Sequence, residues 1–156
     1  MSGCLRRVLR VVGVALALAC AWSTAAWAAP NCSFQSVTNV NFGTYDVFGS
    51  ANVDSTGSIS INCSGNPNPW VLLLDKGANA STYLPRKMVN TGTLLNYNLY
   101  TDSARTTVWG DGTGGTVTVS GAGNGTFTRT VYGRIPPGQD ARAGLNSDTI
   151  VVTVNF

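Results

Sequence analysis

The chain contains no histidine and no glutamate, and its acidic residues are seven aspartates. Without histidine, Ser-His-Asp and Cys-His catalysis are excluded, and general acid–base chemistry is left to the aspartates, Lys76 and Lys87. A pair of aspartates could in principle hydrolyse a glycoside. Most of these aspartates, however, stand beside glycine or at strand ends, where Asp is an ordinary turn residue. We therefore expect no catalytic residues and no enzyme activity.

Metal and cofactor sites are equally poorly supported by the sequence. Asp111 lies in the stretch WGDGTGG, which offers one carboxylate where a calcium site needs several oxygen ligands. The GDGTGG segment contains no lysine and precedes no helix pattern, so it predicts a turn and not a phosphate-binding loop. We expect no metal and no cofactor.

The N-terminus has the features of a secretory signal peptide. Arg6, Arg7 and Arg10 precede an apolar run at residues 11–21, and Ala26-Trp27-Ala28 is an A-x-A cleavage site. The run is shorter than the ~20 residues of a membrane-spanning helix. We therefore expect residues 1–28 to be a signal peptide, residues 29–156 to form one exported domain, and no membrane span to remain after cleavage.

Cleavage would change both the charge and the cysteine count. Three of the ten Lys and Arg residues leave with the signal, and the remaining seven balance the seven aspartates. This neutrality gives no case for a nucleic-acid partner. Cys4 and Cys20 also leave, so Cys32 and Cys63 remain in an oxidising compartment, where we expect a disulfide and not a two-cysteine metal site.

The rest of the chain alternates apolar and polar residues in short segments separated by Gly, Pro, Asn and Asp, which is typical of an antiparallel β-sandwich of about seven or eight strands. The predicted strands are residues 37–42, 58–63, 70–74, 95–100, 106–109, 116–120, 126–133 and 148–156. The last strand places Ile150, Val152, Val154 and Phe156 on one face. We expect no later segment to cover its edge, although an exposed edge invites pairing with another chain.

Short stretches in a fixed order resemble the spore coat protein U domain family, which also supplies pilin subunits of archaic chaperone-usher fimbriae. They are FGTYD (42–46), GSISINC (57–63), LDKG (74–77), RKM (86–88), LNYNLYTD (95–102), VWGDG (108–112), VYGRIPPGQ (131–139) and GLNSDTIVVTVNF (144–156). Each stretch is weak alone, and the ordered set is specific.

The resemblance implies an immunoglobulin-like fold that lacks its last strand, with the disulfide between the first two strands. It implies that the gap is filled by a periplasmic chaperone, that an outer-membrane usher assembles the subunits, and that a neighbouring pilin-like subunit then donates a strand. The main-chain pairing would be β-augmentation. Ile150, Val152, Val154 and Phe156 would line one wall of this groove, and Val40 and Phe42 the other.

The chain departs from the pilin pattern at its predicted mature N-terminus. Only Ala29, Pro30 and Asn31 precede Cys32 if cleavage follows Ala28, whereas a donor strand needs about ten residues. We therefore expect a tip or minor subunit that accepts a strand without donating one. A coat protein outside any fibre, and edge-to-edge pairing with a second copy, remain alternatives.

Aromatic residues suggest a second class of function. The loop stretches GNPNPW (65–70) and KGANASTYLP (76–85) would carry Trp70 and Tyr83 to a contacting surface, or these side chains would simply pack in the core. The alternative to an assembly subunit is a free-standing secreted carbohydrate-binding or adhesive module, which would be a complete and stable monomer.

Overall fold

A computed structural model describes residues 28–65 and 69–156 of the chain. The predicted signal peptide, apart from Ala28, lies outside the described residues, as do loop residues 66–68. Within the described ranges there is no helix long and apolar enough to cross a membrane.

The described residues form two antiparallel sheets. The strands are β1 (Asn31–Thr38), β2 (Val53–Ser64), β3 (Pro69–Leu74), β4 (Arg86–Asn90), β5 (Thr93–Tyr100), β6 (Val119–Ala122), β7 (Gly125–Ile135) and β8 (Val152–Asn155). One sheet has the order β1-β2-β7-β5-β4, and the other has the order β6-β3-β8. This arrangement confirms the predicted all-β, immunoglobulin-like sandwich.

The predicted disulfide is also present. The register of β1 and β2 places Cys32 directly opposite Cys63, with their Cα atoms 4.1 Å apart, and the two sulfurs are bonded. The bond therefore holds the edge strand β1 to its neighbour β2 in the larger sheet.

The core lies between the inner faces of the two sheets and follows from strand alternation. On β3, Trp70, Leu72 and Leu74 are buried while the residues between them are more exposed. They face a buried set from the larger sheet that includes Ile59, Ile61, Leu95, Leu99, Val131 and Ile135.

The strand predicted at residues 37–42 is placed wrongly. β1 occupies Asn31–Thr38, and residues 39–46 then leave the ladder with β2 without forming a named strand. Val40 and Phe42 sit over glycines of the larger sheet, where an added Cβ on Gly133 would lie 2.6 Å from Val40 Cγ1. Gly57 and Gly133 have no side chain, so Val40 and Phe42 can pack directly on the sheet there. This packing directs the segment across the face of the sheet and away from its edge.

The strands predicted at residues 106–109 and 116–120 are also corrected. Val108 and Trp109 make only isolated bridges, because the Asp102 carboxylate accepts the backbone N–H groups of Thr106 and Thr107. β6 starts at Val119, after a turn in which the Thr116 hydroxyl donates to the Thr113 carbonyl.

At the C-terminus, β8 is shorter than the predicted 148–156 because side chains replace ladder partners before Val152. The Val151 N–H donates to the Asp75 carboxylate, at 3.0 Å. The prediction missed β4, whose Arg86 and Lys87 conceal its strand pattern. β4 joins β5 through a two-residue turn in which Thr91 and Gly92 both have positive φ, as a type I′ turn requires.

Candidate functional site

A long groove opens along one side of the sandwich. It lies between residues 37–48, which we name the N-terminal wall, and residues 141–152, which we name the C-terminal wall. Its volume is about 1320 Å³, larger than the ~300–1,000 Å³ usual for small-molecule sites. The floor is mainly apolar and is formed by Ile59, Leu74, Met88, Leu95, Tyr97, Leu99, Val131 and Ile135. Its length and apolar floor suit an extended apolar segment.

The N-terminal wall is held by two apolar side chains and a few polar contacts. Val40 and Phe42 are half-buried against the core. The Ser55 hydroxyl donates to the Asn41 carbonyl at 2.6 Å, in place of a regular ladder bond. Further along, the Tyr45 hydroxyl donates to the Pro136 carbonyl. This wall therefore runs along the groove with little regular strand pairing.

The backbone groups of the C-terminal wall that face away from the groove are hydrogen-bonded to the rest of the sandwich. The alternate backbone groups face the groove. Ser147 exchanges both backbone hydrogen bonds with Val89, the Thr149 carbonyl accepts the Ala78 N–H, and the Val151 carbonyl accepts the Asp75 N–H. In extended chain the alternate residues point the other way. The N–H and C=O groups of Asp148 and Ile150 thus face the groove, as an open strand edge.

Two aspartates anchor this wall to the rest of the sandwich. Asp75 Oδ1 accepts the N–H groups of Gly77 and Val151. Asp148 Oδ1 accepts the Ala78 N–H at 3.0 Å and the Asn79 amide at 2.8 Å, while Asp148 Oδ2 accepts the hydroxyl of Tyr97 at 2.7 Å. A Cβ at Gly77 would collide with the Asp148 carboxylate, so the backbone can approach it only at a glycine.

Below these aspartates lies Arg86, a fully buried arginine of β4. Its guanidinium donates to the carbonyls of Asp75 and Trp109 and to Asn98 Oδ1, at 2.6 to 3.0 Å. Burial lowers the pKa of Arg86 from its usual value. Within the described residues no carboxylate is ion-paired with it, so carbonyl dipoles satisfy the charge and tie the end of β3 to β4 and β5.

The predicted groove residues fall into two groups in the structure. Val40, Phe42, Ile150 and Val152 line the groove. Val154 and Phe156 do not: Val154 pairs with Leu72 in β3 and packs on the core, and Phe156 is half exposed at the end of the chain. β1 and β8 contact each other, and the lining ends at Val37 on one wall and at Val152 on the other.

Of the two alternatives for Trp70, the structure shows packing in the core and not a position at a contacting surface. Trp70 is 1% exposed, packs against the Phe127 ring and lies beneath the guanidinium of Arg129. It belongs to the inward face of β3 and not to the preceding loop. Residues 66–68 of that loop lie outside the described residues.

Tyr83 is only half-buried, in the loop before β4. Its ring lies under the Arg86 guanidinium, and burial raises the pKa of its phenol to about 12. The adjacent Leu84 is the large apolar side chain that this loop exposes. The surface feature in the KGANASTYLP stretch is therefore Leu84 beside Tyr83.

The sequence reasoning missed the polar residues at the groove. Asp148 lies two residues before Ile150 and four before Val152, so strand alternation places its carboxylate on the same inward face as these apolar side chains. A charged residue on an apolar face was the signal in the sequence. Arg86 likewise shares parity with the buried Met88. What the sequence does not reveal is that Asp148 meets Tyr97, from which it is separated by 51 residues.

Comparisons with known proteins agree with this architecture. Residues 18–153 match the sequence model of the Spore Coat Protein U domain. Protein U of Myxococcus xanthus is 34% identical over 128 residues, an alignment that covers 75% of this chain and 71% of that protein.

A solved structure is similar as well. It is the CsuC–CsuE chaperone–tip adhesion subunit pre-assembly complex from the archaic chaperone-usher Csu pili of Acinetobacter baumannii. One of its chains aligns with a TM-score of 0.59 and 26% identity, over 82% of this chain and 40% of that one. This chain therefore spans less than half the length of that neighbour.

Proposed function

The chain belongs to the spore coat protein U domain family, and from this premise we propose that it is an exported, non-enzymatic structural subunit of a bacterial surface assembly that accepts a β-strand from a partner. The observation that carries the proposal is the groove, whose C-terminal wall presents, beside an apolar floor, the backbone groups of Asp148 and Ile150, which have no backbone partner among the described residues. β-Augmentation uses these two elements: main-chain hydrogen bonds supply affinity and alternate side-chain pockets set the register.

The proposed occupants are a periplasmic chaperone during export and a neighbouring pilin-like subunit after assembly through an outer-membrane usher. The similarity to a chaperone–tip adhesion subunit pre-assembly complex supports this choice. The predicted signal peptide supports passage through the periplasm to a fimbria or a spore-type coat at the cell surface.

We further propose that the protein is a tip or minor subunit that accepts a strand without donating one. The support is the predicted cleavage after Ala28, which would leave Ala29, Pro30 and Asn31 ahead of the disulfide-bonded Cys32. Mass spectrometry of the exported protein tests this, because a mature N-terminus well before Ala29 would restore a donor and refute the assignment.

An adhesive role for the loop before β4 is part of the same proposal. Leu84 is half exposed beside Tyr83, and exposed apolar side chains of this kind are candidates for contact with a surface. Replacing Tyr83 and Leu84 by serine should then reduce attachment of cells that carry the assembly. Unchanged attachment, with the subunit still displayed, would exclude this loop as the contact.

The experiment for strand acceptance is thermal unfolding of the mature protein with and without a short peptide in which Val alternates with Thr. A peptide at about a hundred times its Kd should stabilise the fold by about 2.7 kcal/mol, or roughly 10 °C in Tm. A peptide of the same composition with its valines clustered is the matched control. A stable monomer indifferent to both peptides would instead favour the free-standing secreted binding or adhesive module.

Two adjacent valines give a matched pair of variants. Val152 lines the groove, whereas Val151 points away from it and is 57% exposed. Val152→Asp should abolish the Tm increase caused by the peptide, because it places a charge against the apolar strand. Val151→Asp should leave that increase intact, and equal effects of the two changes would argue against binding in the groove.

A further inference from the structure

One side chain touches both walls of the groove. Tyr97 of β5 lies in the floor, and its ring meets the ring of Phe42 in the N-terminal wall edge to face, with centroids 6.0 Å apart and an interplanar angle of 71°. Its hydroxyl donates to Asp148 Oδ2 in the C-terminal wall, at 2.7 Å. The residue therefore bridges the groove from below.

The Asp148 end of this bridge is firmly fixed. Asp148 Oδ1 accepts the backbone N–H groups of Ala78 and Thr149 and the side-chain amide of Asn79. The carboxylate thus joins the C-terminal wall to the loop after β3, and the phenol joins that unit to the floor. Burial, together with the hydrogen bond to Asp148, raises the pKa of the Tyr97 phenol, so the hydroxyl keeps its proton and remains a donor.

A strand that inserts between two others needs walls about 9 to 10 Å apart, since neighbouring strands lie about 4.8 Å apart in the hydrogen-bonding direction. Among the described residues, the N-terminal wall makes few backbone hydrogen bonds of its own, and those of the C-terminal wall lie on its outer side. The spacing across the groove must therefore be maintained by side chains. Tyr97 is placed to do this.

We infer that Tyr97 is a positioning residue that holds the two walls of the groove at the separation and register a complementing strand requires. The inference rests on the proposed strand-accepting function. It assigns to the phenol hydroxyl a role that an ordinary core tyrosine would not have, because the hydroxyl orders the segment whose backbone receives the incoming strand.

The test begins with the free protein, which separates this inference from strand binding itself. Tyr97→Phe removes the hydroxyl and keeps the ring contact with Phe42. Amide hydrogen exchange followed by NMR should become about tenfold faster at Ala78, Ser147 and Val151, with the β2–β7 ladder unchanged. Unchanged exchange at these amides would overturn the inference, whether or not any peptide binds.

The second readout is binding of the alternating Val/Thr peptide and of the peptide of the same composition with its valines clustered, which cannot present all its valines on one face. Tyr97→Phe should weaken binding of the preferred peptide about tenfold and reduce the preference between the two. Equal affinity and preference in wild type and variant would overturn the inference while leaving the proposed function standing. If wild type binds neither peptide, the proposed function fails and the positioning role fails with it.

Two further variants make the assignment specific. Tyr132→Phe is the matched control, because Tyr132 lies half-buried beneath Arg105 and does not line the groove, and it should change neither readout. In an Asp148→Ala background, Tyr97→Phe should add nothing to the exchange rates, since its partner is already gone. An undiminished effect in that background would show that the hydroxyl acts elsewhere and would overturn the inference.

Discussion

A single methyl group at Gly133 should disturb the N-terminal wall of the groove. In β7, a Cβ at this position would lie 2.6 Å from Val40 Cγ1 and 2.7 Å from Phe42 Cζ. Carbon atoms in contact normally stand about 3.5 to 4.0 Å apart, so both side chains must retreat by about 1 Å. Phe42 can swing at its far end, whereas the branched Val40 has to move with its backbone.

The expected cost follows from these distances. Overpacking of this kind destabilises by about 1 to 3 kcal/mol, and replacing glycine by alanine in an unstrained backbone returns about 0.4 to 1 kcal/mol through the unfolded state. With the central values of these ranges, about 2 and about 0.7 kcal/mol, Gly133→Ala should lower the free energy of unfolding by about 1.3 kcal/mol. Urea denaturation of the mature, oxidised protein measures this change.

A double-mutant cycle identifies the cause. In a Val40→Ala background the added methyl meets fewer atoms, so Gly133→Ala should cost less there by about 0.5 kcal/mol or more. If Gly133→Ala is neutral, or costs the same in both backgrounds, then Val40 does not sit over Gly133 and the position of the N-terminal wall is wrong.

Three other measurements test different parts of the structure. Replacing Cys32 and Cys63 by serine should cost about 3.7 kcal/mol in the chain-entropy relation for a separation of 31 residues, read from urea denaturation. The hydrogen bond from the Thr107 N–H lowers the pKa of Asp102, so the contribution of this carboxylate to stability is present above pH ~4 and is lost as the pH falls further. Asp102→Asn should therefore flatten the acid limb of a stability–pH curve. Burial raises the pKa of Tyr83 to about 12, so the stability that this phenol contributes is lost as the pH rises from about 10 to 12. Tyr83→Phe should remove the ultraviolet titration step near pH 12.

The parts of the fold that could be predicted are those with two distinct faces. β2, β3 and β7 alternate apolar and polar residues because one face packs on the core and the other meets water, and this pattern is visible locally. The disulfide could be predicted because two cysteines remain after cleavage. Residues 39–46 carry the same alternation, yet they form no strand because glycines in β2 and β7 draw Val40 and Phe42 across the sheet. That effect depends on contacts distant in sequence.

The apolar residues that line the groove could be predicted from the sequence, but the hydrogen bonds that hold its C-terminal wall in place could not. The resemblance placed Val40, Phe42, Ile150 and Val152 near a groove, and they line it. It also placed Phe156 there, but the lining stops at Val152 because β8 continues along β3 beyond that point. The contacts that fix the C-terminal wall join residues far apart in sequence, and no local pattern reveals them.

The most direct measurement of strand acceptance is amide hydrogen exchange at the C-terminal wall with the alternating peptide bound. We predict that the amides of Asp148 and Ile150, which face the groove, exchange at least about a hundredfold more slowly when the carbonyls of an incoming strand accept hydrogen bonds from them. Ser147 and Val151, already bonded on the outer side, should change little. If the peptide binds at saturation and Asp148 and Ile150 still exchange as fast as in the free protein, the groove does not accept a strand at this edge.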